Sequence, residues 1–155
     1  MQFHDYLTIE NMYLWTNIAI LPFWLMIIII PNSKFTQFFV NSVILPLILS
    51  TLYVYVIYQA ILMQEEVFDI FKLYFSLDNL YTIFATESFL LIFWLHFITL
   101  NIFIGSWVSR DGFKYNIPRG MIFIPLILVY FSGPVGLVLY WLIRIFYAKR
   151  ISFHD

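Results

Sequence analysis

Cysteine is absent from this 155-residue chain, which excludes disulfides, thiolate metal sites and cysteine nucleophiles and leaves the redox compartment open. Charge is scarce as well. Asp, Glu, Lys and Arg make up 11% of the residues, against about 25% in a soluble domain, too few to clothe a globule of this size. The balance is −1 at neutral pH, so no basic surface invites nucleic acid. The histidines His4, His96 and His154 stand apart, with no second His or carboxylate at ligand spacing, so no metal is expected and a histidine-box di-iron oxygenase is excluded. P-loop, dinucleotide and zinc-protease motifs are missing. The first eleven residues hold no Lys or Arg, so no cleavable signal is expected and the first apolar run should be retained.

What the chain has is apolar surface: 63% of residues are hydrophobic and 22% aromatic. About 20 consecutive apolar residues are needed for a spanning helix. Four runs pass, roughly 12–30, 42–63, 83–108 and 121–146. None alternates as barrel strands would. The expected fold is all-α: an integral membrane four-helix bundle, one domain over 1–155, multi-pass, with both termini on one side. Between the second and third runs, 65–81 places Val67, Phe68, Ile70, Phe71, Tyr74 and Phe75 at helical spacing, which predicts a short interfacial amphipathic helix. With four spans, Lys72, Arg144, Lys149 and Arg150 face Lys34, Arg110, Lys114 and Arg119, four against four, which gives no orientation.

The candidate chemistry lies on the third run. Ionisable groups at membrane depth cost about 2.5–3.5 kcal/mol each on insertion scales, and this run carries Glu87 and His96 together with the polar Asn101. At about 100° per residue, Glu87, Trp94, Asn101 and Gly105 form one stripe. His96 lies about 180° from Glu87, near Thr99 and Phe103. Glu87 sits one turn inside the expected boundary, where snorkelling to water and a buried role are both open. His96 can be a packing residue or a functional one. Asn101 can hold a neighbouring helix or a ligand. On the first run Asn17 and Trp24 share a face. Gly133-Pro134-Val135-Gly136 interrupts the fourth run, either for close helix packing or for a ligand contact at Pro134.

Together these residues resemble the neoxanthin synthase, or abscisic-acid-deficient, family of small four-span membrane proteins over nearly the whole chain. Asn17, Leu21-Pro22-Phe23-Trp24 and Pro31-Asn32 form the opening pattern. Trp94, His96, Phe97, Phe103, Gly105, Trp107 and Asp111 follow on the third run. Ile117-Pro118, Pro125, Gly133-Pro134-Val135-Gly136-Leu137 and Leu139-Tyr140 complete it. The family usually carries Asp where this chain has Asn101, and Asn cannot act as a carboxylate acid or base.

The resemblance implies a redox-neutral carotenoid isomerisation of an epoxy-xanthophyll to an allenic one, without a cofactor. His96 is then the candidate base and Glu87 the candidate acid. Asn17, Trp24, Trp94, Asn101, Gly105, Asp111 and Pro134 are candidate ligand-binding residues, with Asn17 or Asn101 orienting the oxygen. The implied partners are a carotenoid or other polyene lipid and membrane lipids, in a homo-oligomer or larger membrane complex. The alternatives are a non-catalytic pigment-binding subunit of such a complex and a small lipid or solute carrier.

Overall fold

Proline, glycine and short polar segments set where the helices of this apolar chain begin and end. The computed structural model describes residues 8–62 and 74–149. In order these form α1 (Ile9–Ile29), a π-helical turn (Thr36–Val40), α2 (Ile44–Leu62), α3 (Leu77–Phe84), α4 (Glu87–Lys114), α5 (Arg119–Ser132) and α6 (Pro134–Ala148). No strand occurs among the described residues, so the protein is all-helical there. Three helices, α1, α2 and α4, are long and apolar enough to cross a membrane.

Local chemistry explains the boundaries. Residues 65–73 of the expected interfacial helix lie outside the described residues. The chain then enters α3, whose N-cap Ser76 accepts a hydrogen bond from the Asp78 N–H at 3.1 Å, with Asp78 complementing the helix dipole. The third run, expected from residue 83, divides at Ala85-Thr86 into α3 and α4. α4 ends where Asn116 turns left-handed at φ 51°. Ile117 N–H donates to Gly112 O at 2.9 Å and Asn116 N–H to Phe113 O at 3.1 Å, a Schellman closure followed by Pro118.

The chain divides into two compact units, residues 1–20 with 47–97 and residues 21–46 with 98–155. The core of the first packs Val56 and Ala60 of α2 with Leu91, Ile92 and Leu95 of α4, flanked by Ile9 and Met12 of α1.

In the second unit the expected fourth span is not one helix. A straight helix would hold residues 125 and 136 about 16 Å apart. Instead Gly136 lies so close to α5 that a Cβ there would meet Val129 N and come within 2.6 Å of Pro125 O. Farther along, the Tyr147 hydroxyl donates to Met121 Sδ at 3.1 Å. The two helices, of 14 and 15 residues, therefore run antiparallel as a hairpin turning at Gly133. Pro134 takes the first position of α6, where its missing N–H costs nothing and its fixed φ favours the helix. The sequence signal Gly-Pro-Val-Gly marks a turn with close packing rather than a kink within one span.

Candidate functional site

In the first unit, α1 and α4 bring their first turns to one cavity of about 400 Å³, lined by Ile9, Glu10, Tyr13, Glu87, Leu90, Leu91 and Trp94. Helical spacing places these groups. Tyr13 follows Glu10 by one turn, and Trp94 follows Glu87 by two. Asn17 supports the wall: its Oδ1 accepts from Trp94 Nε1 at 3.1 Å, while its Nδ2 donates to the Tyr13 carbonyl at 2.8 Å. The Trp94 ring lies 5.6 Å from that of Tyr13 and stacks on Phe97 at 5.4 Å. The cavity thus pairs an aromatic wall with two carboxylates.

Of the residues singled out by sequence, Glu87, Trp94 and Asn17 meet here. His96 does not. It is exposed, with its ring 6.2 Å from that of Tyr53, in keeping with its place on the face of α4 opposite Glu87. Glu10 and Tyr13 were missed, although Glu10, Asn17 and Trp24 repeat at seven-residue intervals that mark one face of α1.

The remaining candidates belong to the second unit and are held by packing and polar contacts. Trp24 sits on Gly105, where a Cβ would come within 2.6 Å of the indole, and meets Tyr130 edge-on at 5.4 Å. Asn101 holds the tip of the hairpin. Its Nδ2 donates to Tyr130 O at 3.4 Å, and its Oδ1 occupies the space where a Cβ on Gly133 would project. Pro134 begins α6 beside it.

Asp111 accepts from Arg144 Nε at 2.7 Å and from the Tyr140 hydroxyl at 2.6 Å. Arg144 is 1% exposed and Tyr140 0%. Arg144 also donates to the Tyr115 hydroxyl at 3.2 Å and lies 4.8 and 4.9 Å from the Tyr115 and Trp141 ring centroids. The sequence treated Arg144 as a peripheral charge. Its signal was an arginine set in an apolar helix with an acid in an adjoining one. A cavity of about 270 Å³ near the base of the hairpin, lined by Ile27, Ser109, Asn116, Arg119 and Ile122 among others, carries no carboxylate.

Among the described residues these features define an all-helical protein with three helices of membrane-crossing length, a carboxylate-bearing aromatic cavity and a helical hairpin locked by a buried ion pair. Residues 11–140 match the ABA4-like family (ABA DEFICIENT 4-like), and the chain belongs to that family. Arg144 lies beyond the matched residues. Neither the curated proteins nor the solved structures offer a significant match.

Proposed function

We propose that the chain is a multi-pass membrane protein that isomerises an epoxy-xanthophyll to its allenic form, with the cavity of the first unit receiving the oxygenated ring. The observation that carries this reading is Glu10 and Glu87 lining one aromatic cavity in a member of the ABA4-like family. Exposed apolar side chains along α1 and α2, such as Trp15, Ile29, Ile48 and Val54, support insertion in lipid. The amphipathic α3, which buries no residue, suits the membrane interface.

The reaction needs one base and one acid. A carboxylate takes the proton from the polyene carbon next to the epoxide, and that C–H electron pair forms the new double bond of the allene. The adjacent C–O bond breaks, and the epoxide oxygen, still bound to the other ring carbon, takes a proton from the second carboxylic acid. Nothing is oxidised or reduced, and the two carboxyl groups end with their protons exchanged. Trp94, fixed by Asn17, supplies a flat face for the polyene.

The test is purified protein incubated with epoxy-xanthophyll and analysed by chromatography. Glu10→Gln and Glu87→Gln should retain pigment and lose turnover by about 10²-fold or more. Absence of allenic product from the unaltered chain, where a plant homologue forms it, would sink the reading. A second reading is favoured by the aromatic wall of Tyr13, Trp94 and Phe97: a pigment-binding subunit without turnover. It predicts bound carotenoid and no product.

A further inference from the structure

The hairpin has a consequence for how the chain sits in a membrane. At about 1.5 Å per residue, α5 and α6 are each about 21–23 Å long, short of a hydrocarbon core of about 30 Å. Their tip also stops part-way. It is held by Asn101, at the midpoint of the 28-residue α4. From there α6 returns alongside the C-terminal half of α4, with Tyr140 against Trp107 at 5.4 Å and Arg144 on Asp111 and Tyr115. Asp111 is ten residues past Asn101, about 15 Å along the axis, the distance from bilayer centre to hydrocarbon edge.

Irregular backbone at that depth needs partners within the protein, and Gly133 at the turn is buried. Asn101 Nδ2 reaches the Tyr130 carbonyl, and Gly133 N–H donates to Val129 O at 3.0 Å.

We infer that α5–α6 is a re-entrant hairpin, so that the chain crosses the membrane three times and presents a cationic end to the cytoplasmic, anionic leaflet. The inference rests on the membrane insertion proposed above, but on neither its substrate nor its chemistry. Three crossings put the N-terminus on one side and the end of α6 on the other. The charges then segregate by chain order. Of the eight Lys and Arg, all but Lys72 fall at or beyond the C-terminal end of α1, the C-terminal end of α4 or the two ends of the hairpin. Of the nine Asp and Glu, all but Asp111 and Asp155 fall on the opposite side. Arg144 is balanced by Asp111, which leaves six cations against one. The even division expected for four spans becomes a strong positive-inside signal. The cationic face is matched to anionic headgroups.

The cysteine-free sequence makes the test direct. Single variants Thr8→Cys, Gly120→Cys and Lys149→Cys, at exposed positions, are expressed in a bacterial inner membrane and treated with an impermeant maleimide. Spheroplasts should label only Thr8→Cys, and inverted vesicles only Gly120→Cys and Lys149→Cys. Labelling of Lys149→Cys together with Thr8→Cys on one side would overturn the re-entrant hairpin. Labelling of Gly120→Cys and Lys149→Cys in spheroplasts would overturn the orientation. Where a variant fails to accumulate, a fluorescent protein fused after Asp155 reports the same point: fluorescence is expected, and its absence with an active alkaline phosphatase fusion would refute the topology. None of these readouts involves pigment, so failure here and failure of the proposed activity remain distinct.

Discussion

Removing the carboxylate of Asp111 should be among the most damaging single changes to the second unit. Arg144 is 1% exposed and Asp111 10% in their side chains, so Asp111→Ala strands a guanidinium away from water. Breaking a buried pair from one side costs about 3–5 kcal/mol. Arg144 keeps the Tyr115 hydroxyl and two aromatic rings, which favours the lower half of that range. Tyr140 loses its acceptor at the same time, worth about 1–3 kcal/mol alone but not additive with a shared partner.

About 3–4 kcal/mol is therefore expected, a shift of over a hundredfold in the folding equilibrium. The double variant Asp111→Leu/Arg144→Met removes both charges and should recover most of the loss, because apolar replacement of a buried pair is often neutral or better. Unfolding in mixed micelles can be followed by tryptophan fluorescence, since Trp107 and Trp141 flank this cluster, 6.2 Å apart. A single-variant loss below about 1 kcal/mol, or a double variant no more stable than the single, would refute the premise that the pair is desolvated and coupled.

Gly136→Ala should cost about 3 kcal/mol, the upper end for overpacking, because its Cβ meets backbone at Val129 and Pro125 that cannot step aside; Gly120→Ala, with nothing within 4 Å, should be neutral or stabilising by about 0.5–1 kcal/mol, and equal Tm values for the two would count against the hairpin packing. His96→Ala should leave turnover per folded molecule unchanged, in contrast to Glu87→Gln, when both are assayed on the same pigment. Asn17→Ala leaves the Trp94 N–H without its acceptor, at a cost of about 1–2 kcal/mol, and should weaken pigment retention without abolishing turnover at saturating substrate.

The helices α1, α2 and α4 could be read directly, because length and unbroken apolarity decide a membrane-length helix without reference to neighbours. The wheel of α4 was equally legible: it set Glu87 and Trp94 on one face and His96 on the other, and the cavity lining follows that division. The hairpin was not legible. Residues 121–146 have the length and apolarity of a span, and Gly133-Pro134 fits a kink as well as a reversal. What selects reversal is tertiary: space for Gly136 against α5 and an amide from α4 at the tip. The Asp111–Arg144 pair could not be inferred either, since a continuous fourth helix would carry Arg144 to the opposite membrane face. One misread turn thus hid the ion pair and the charge asymmetry together.

The same turn changes the meaning of position 101. Where the family resemblance leads one to expect Asp, the loss of a carboxylate at first suggests a lost catalytic acid. Asn101 instead uses both ends of its amide within the second unit, its nitrogen on Tyr130 O and its oxygen against Gly133, while the carboxylates that share a cavity are Glu10 and Glu87 in the first. An ionised Asp at 101 would have no hydrogen to offer Tyr130 O and would set a charge against backbone carbonyls. In this chain the amide suits the hairpin better than the acid would. The departure from the family residue therefore bears on how the re-entrant tip is held and leaves the case for catalysis to rest on Glu10 and Glu87.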